Sequence, residues 1–131
     1  MTNEPGYIKI INEFVEKEPR ILAAYLLGSG ARDQLRPDSD IDIGIILEPG
    51  QKMSPLERIN MANSISYALG KTVDMGLINS KNLVYAKEAI FTGRKIFARD
   101  ESRSLLENAR LLGMYIRFNE DRKEVLDAYR A

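Results

Sequence analysis

The chain has 131 residues, 44% hydrophobic and 29% charged, and its 19 basic and 19 acidic residues cancel; that suits one soluble domain with no overall footprint for a nucleic-acid backbone. It has no cysteine and no histidine, which excludes disulfides, thiolate nucleophiles, zinc–sulfur sites, Ser-His-Asp triads and histidine metal centres. Any metal must be held by oxygen, favouring magnesium, manganese or calcium, and the strand-sized apolar runs predict a cytoplasmic protein with no signal peptide or membrane span.

Residues 6–18 place Tyr7, Ile8, Ile11, Phe14 and Val15 at a helical period, closed by Pro19. Residues 21–27 are a continuous apolar run of strand length ending at Gly28. A short helix is expected over 29–35, then turn material at Pro37-Asp38-Ser39. In a second strand, 40–47, Ile41, Ile43, Ile45 and Leu47 alternate with Asp40, Asp42 and Gly44. Ser54-Pro55-Leu56-Glu57 reads as a capping box with proline at the first helical position, and Gly70 ends that helix after Leu69. A third strand follows over 72–78, a helix after Asn79-Ser80 that ends near Gly93, and a short strand over 95–98. The last helix spans about 100–129, with Leu105, Leu106, Ala109, Leu112 and Ile116 expected inward and Val125 at the end of the stripe. Basic residues are denser from Arg94 onward, but acidic residues interleave with them, as on a solvated helix face. The pattern predicts an α+β, two-layer domain over 1–131: a small mixed sheet covered by helices. The short link between the first two strands predicts antiparallel neighbours.

The chemistry concentrates between Gly28 and Asp42. Residues at i and i+2 of a strand share a face, so Asp40 and Asp42 project together, roughly 7 Å apart along the strand. Paired carboxylates repel unless a cation lies between them, and magnesium takes one or two carboxylates together with substrate phosphate. Asp74 lies in another apolar strand, Val73-Asp74-Met75. If that strand neighbours the second, the three carboxylates can bridge two metal ions about 3.5–4 Å apart. Gly28 and Ser29 form a small turn where backbone can approach a phosphate, and Arg32 stands about one helical turn on. Arg32 reads equally as a surface residue pairing with Asp33 or Asp38. Tyr25 and Tyr67 read as core or rim. Phosphate plus divalent metal predicts phosphoryl or nucleotidyl transfer.

Gly28-Ser29, ten residues, then Asp40-Ile41-Asp42 resembles the signature of the polymerase-β-type nucleotidyltransferase superfamily. Ala31-Arg32 and Ser39-Asp40-Ile41-Asp42 look most like its minimal nucleotidyltransferase branch of antitoxin-like proteins. Val73-Asp74 fits the third acidic position, and Phe91-Thr92-Gly93-Arg94-Lys95-Ile96-Phe97 resembles the branch's ending before a last helix. The resemblance implies a nucleotidyltransferase fold. It makes Asp40, Asp42 and Asp74 catalytic metal ligands for Mg2+, with Asp74 also a candidate general base. Gly28 and Ser29 become contacts for the nucleotide phosphates, and Arg32, from its position alone, is a further candidate nucleotide contact. It further implies transfer of AMP from ATP to a tyrosine of a HEPN-type toxin, in a hetero-oligomer. Other readings are transfer to a small molecule, as in aminoglycoside-inactivating relatives, and an antitoxin that only occludes its partner; a nucleic-acid polymerase fits a small neutral chain least. Asp33, where the branch has glycine, and Gly30, where it has a larger residue, depart from the pattern.

Overall fold

The computed structural model describes residues 5–32 and 39–130. In chain order the elements are α1 (Gly6–Glu16), β1 (Ile21–Leu27), α2 (Gly28–Ala31), β2 (Ile41–Leu47), α3 (Pro55–Leu69), β3 (Val73–Leu77), α4 (Leu83–Thr92), β4 (Arg94–Ala98) and α5 (Glu101–Arg130). This is the expected order of elements. α1 stops two residues earlier than its periodicity suggested, because a residue preceding proline is driven out of the α region and Glu18 precedes Pro19. The short helix begins at Gly28 instead of Ser29. It ends at Ala31 with Arg32 as its C-cap, and the rest of its expected run, residues 33–35, lies outside the described residues, as does the Pro37-Asp38 turn.

Four strands form one sheet in the order β3-β2-β1-β4. β1 pairs antiparallel with β2 and with β4, while β2 and β3 run parallel. The sheet is therefore mixed. Its register sets the site: Asp42 stands opposite Leu27 on β1 and opposite Asp74 on β3.

The two sheet faces bury separate cores. Ile41, Ile43 and Ile45 pack with Ile8, Ile11, Val15 and Ile65 from α1 and α3. Ile46 packs on the other face with Leu22, Tyr25, Ile78, Ala86, Ala89 and Leu111, under α4 and α5. β1 is buried on both faces, which is why its run is apolar without alternation. α3 is delimited as its sequence dictates. Ser54 Oγ accepts from Glu57 N at 3.1 Å, Glu57 Oε1 accepts from Ser54 N at 3.1 Å, and Gly70 closes the helix at φ 67°.

α5 departs from expectation. Its buried residues are Ser104, Asn108 and Leu111, while Leu105 and Leu106 are 55% and 70% exposed and Ile116 and Val125 are exposed too. Asn108 and Tyr25 decide the orientation: Asn108 Nδ2 donates to the Tyr25 hydroxyl at 2.8 Å in the interior. Ser104, one turn earlier, is fully buried on the same face of the helix. A stripe chosen by hydrophobicity alone misses a contact made by a serine and an amide. Tyr25 is core, as expected, and Tyr67 lies on the surface, 92% exposed.

The end of β4 is tied to α1 by one side chain. Arg99 Nε donates to Ile21 O at 2.9 Å, and Arg99 Nη2 donates to Glu18 O, Glu16 O and Val15 O at 3.0, 3.2 and 3.3 Å. These carbonyls lie at and beyond the C-terminal end of α1, where intrahelical partners run out and a cation is favoured. Arg99→Ala is expected to lower unfolding free energy by about 2 kcal/mol, read from the urea denaturation midpoint.

Candidate active site

Asp42 and Gly44 leave β2 on one face, and Asp74 and Gly76 leave β3 on the same face, paired residue for residue. The two glycines keep the floor low. A Cβ at Gly44 would stand 2.8 Å from Ile78 Cδ1, and one at Gly76 2.6 Å from the Tyr85 hydroxyl. The C-terminal end of β1 closes one side with Leu27 and Gly28. Gly28 has φ 58°, a left-handed conformation that favours glycine, and a Cβ there would lie 3.6 Å from Asp42 Oδ2. Tyr85, Glu88, Ala89 and Thr92 of α4 make the opposite wall. The result is a cleft of about 580 Å³ with Asp42 and Asp74 on its floor.

The electrostatics follow from that crowding. The Asp42 carboxyl is pushed above its usual range, first by desolvation at the cleft floor, then by the charges of Asp74 and Asp40. Asp42 thus feels the charge of both other predicted carboxylates. The Tyr85 hydroxyl is raised as well, first by burial, then by Asp42 and Asp74. Among the described residues no three acidic side chains converge as a ready metal cage. Asp42 and Asp74 stand side by side on paired strands, and Asp40 precedes the first residue of β2. Paired Asp42 and Asp74, with Asp40 just ahead of β2, offer oxygen donors that fit a hard divalent cation, which would offset the neighbouring charges that help raise Asp42.

The predicted nucleotide contacts divide. Gly28 lines the cleft, whereas Ser29 is half-buried in α2, Arg32 is exposed at its end, and both stand outside the cleft lining, as does Asp40. Asp33 lies outside the described residues. The α4 wall escaped the sequence reading altogether. Its one signal was Gly76, a strand glycine two residues past Asp74, where another group approaches closely. Within that wall Thr92 Oγ1 donates to Glu88 O at 2.6 Å, and Glu88 Oε1 pairs with Lys87 Nζ at 3.0 Å.

A model of the family described as Polymerase beta, Nucleotidyltransferase matches residues 9–102, from the first helix through the start of the last. The chain belongs to that family. The matched span includes every predicted site residue. Protein adenylyltransferase MntA of Shewanella oneidensis is 22% identical over 125 residues, covering 95% of this chain and 86% of that protein. A solved toxin–antitoxin structure with AMP-PNP is similar in fold, with a TM-score of 0.78 at 21% identity, covering 95% of this chain and 98% of that one. A tri-AMPylated Shewanella oneidensis HEPN toxin in complex with MNT antitoxin gives a TM-score of 0.74 at 20% identity, over 95% and 97% of the two chains. The mixed sheet and, among the described residues, five helices of which the long α5 is the last are thus a nucleotidyltransferase fold.

Proposed function

We propose that this nucleotidyltransferase is an antitoxin that transfers AMP from ATP to a tyrosine of a HEPN-type partner protein. The observation that carries the reading is the meeting of the left-handed Gly28 turn with paired Asp42 and Asp74 on the floor of one cleft. The named relatives, a protein adenylyltransferase and an antitoxin in complex with an AMPylated toxin, support the choice of AMP and of a protein acceptor. Residues 1–131 act as one domain, and the protein works in the cytoplasm. Among the described residues no helix is long and apolar enough to cross a membrane.

Asp40, Asp42 and Asp74 would hold magnesium, two ions for three carboxylates, and the metal would neutralise charge on the triphosphate and acidify the acceptor hydroxyl. Gly28 and Ser29 offer backbone N–H groups and a hydroxyl to the phosphates, with Arg32 at the end of the same turn. The tyrosine oxygen of the partner attacks the α-phosphorus. The bond from that phosphorus to the bridging oxygen of the β-phosphate breaks, and pyrophosphate leaves. Asp74, at the floor of the cleft opposite the α4 wall, takes the phenolic proton.

The surface available to the partner lies on α5. β4 runs away from the cleft end of the sheet, since Arg94 pairs with Leu26 and Ala98 with Ala23. α5 then returns: Asn108 reaches Tyr25, and Lys87 of α4 lies 5.8 Å from the Tyr115 ring and 5.9 Å from the Phe91 ring. Residues 116–130 are exposed throughout, about 22 Å of helix at 1.5 Å per residue. Along them Phe118, Val125, Leu126 and Tyr129 continue the helical stripe that Ser104, Asn108 and Leu111 bury against the body. This apolar stripe beyond the α4 contact suits a protein acceptor better than a small molecule.

Mixed with ATP, magnesium and its partner, the protein is expected to raise the partner's mass by whole AMP units; an unchanged partner mass would sink the reading. Phe118→Ser with Val125→Ser is expected to weaken partner binding roughly tenfold or more, measured by calorimetry, while AMP-PNP binding stays as in the parent protein.

A further inference from the structure

The cleft is short of hydrogen-bond donors for an anionic ligand. Among the described residues its lining carries the carboxylates of Asp42, Asp74 and Glu88 and no lysine or arginine. Only Tyr85 and Thr92 bring a side-chain donor, and the Thr92 hydroxyl already donates to Glu88 O. The Tyr85 side chain packs against the core cluster that holds Ile78, Ala86 and Ala89. Its residue is half-buried in α4, whose first turn is fixed by Asn82 Oδ1 accepting from Tyr85 N at 3.1 Å. Its hydroxyl hangs over Gly76, so close that a single added methyl would stand 2.6 Å away. Gly76 is two residues beyond Asp74 on the same face of β3. The hydroxyl is thus positioned by packing and by a glycine that leaves it room, next to the carboxylates that would hold the reacting end of a nucleotide.

The geometry points to Tyr85 as a nucleotide-binding residue whose hydroxyl donates a hydrogen bond to a phosphate oxygen of the bound nucleotide. The inference rests on the reading of this cleft as the nucleotide site. It gives α4 a part in the chemistry and explains why β3 carries glycine where a larger residue would fill the floor. A neutral hydroxyl also suits the place: it adds a donor beside the carboxylates without pairing with them as a lysine or arginine would.

The test is calorimetric titration with AMP-PNP and magnesium, run alongside thermal denaturation. Tyr85→Phe keeps the ring and removes one oxygen. Its affinity is expected to fall roughly tenfold to hundredfold, as for loss of a hydrogen bond to a charged group, with the melting midpoint unchanged. Gly76→Ala displaces the hydroxyl from below and is expected to weaken binding similarly, and adding it to Tyr85→Phe is expected to cost little more. Unchanged affinity in Tyr85→Phe overturns the assignment and leaves the nucleotide-transfer reading standing if the parent protein binds AMP-PNP and modifies its partner. A loss of affinity that only tracks a lower melting midpoint marks a structural tyrosine and overturns it too. Failure of the parent protein to bind AMP-PNP at all overturns both.

Discussion

Asp42→Asn is expected to lower AMP transfer by about three orders of magnitude or more, and at the same time to raise the stability of the metal-free protein. The first effect follows from position. Among the described residues Asp42 is the carboxylate that meets both the Gly28 turn and Asp74, so in the proposed reaction its charge would serve the phosphate side and the acceptor side together. Losing one ligand of the proposed metal site would forfeit several kcal/mol of transition-state stabilisation. The second effect follows from electrostatics. The Asp42 carboxyl is raised above the usual 3.8 by desolvation, then by Asp74 and Asp40. A group whose folded pKa is raised binds its proton more tightly when folded, so its ionisation costs stability at every pH above the folded value. Asparagine removes that cost at neutral pH. The advantage of the variant shrinks as pH falls through the raised value toward 3.8, because Asp42 itself becomes neutral. Thermal denaturation in a chelating buffer, at neutral pH and near pH 4, reads the difference. A variant less stable than the parent protein at neutral pH would mean that the carboxylate makes a stabilising contact instead.

Gly93→Ala is expected to destabilise the fold by about 3 kcal/mol, at the upper end for one added methyl. Gly93 joins α4 to β4, and its N–H donates to Ala89 O at 2.9 Å. An added Cβ would lie 2.3 Å from that same carbonyl oxygen and 3.0 Å from Leu27 Cδ2. Neither obstacle yields easily, since one is helix backbone and the other is packed at the cleft edge. The relief available is to tilt α4, which carries Tyr85, Glu88 and Thr92. Chemical denaturation should show the loss in midpoint, and AMP-PNP affinity should fall with it. A midpoint within about 0.5 kcal/mol of the parent value would show that the connection shifts freely.

The element order was legible because each signal is local. The Ser54-Pro55-Glu57 cap and the Gly70 stop act within a turn, and both stand where the sequence put them. Asp42 was legible because strand periodicity sets it on the face opposite Ile41 and Ile43, whereas Asp40, expected in the same strand, precedes β2 and stands outside the cleft lining. Asp74 needed one further fact, that β3 lies beside β2 in parallel with Asp42 opposite Asp74. No local pattern encodes that register; it is set where α3 carries the chain back to begin β3 beside β2. The α5 stripe was misread for a related reason. Hydrophobicity pointed to Leu105 and Leu106, but the sheet presents a tyrosine hydroxyl at that level, and Asn108 answers it.

The sequence by itself determined the donor chemistry of this protein. With no histidine and no cysteine, a metal could meet only oxygen, and the expectation that such a metal would sit by a phosphate rests on Gly28-Ser29 followed by Asp40 and Asp42. Tertiary structure alone decided what faces those carboxylates. The α4 wall, with Tyr85 over Gly76, comes to the cleft through a strand register and a helix packing angle, both of which depend on contacts between residues far apart in the chain. Such contacts leave only indirect marks in sequence, here a glycine where a side chain would have been in the way.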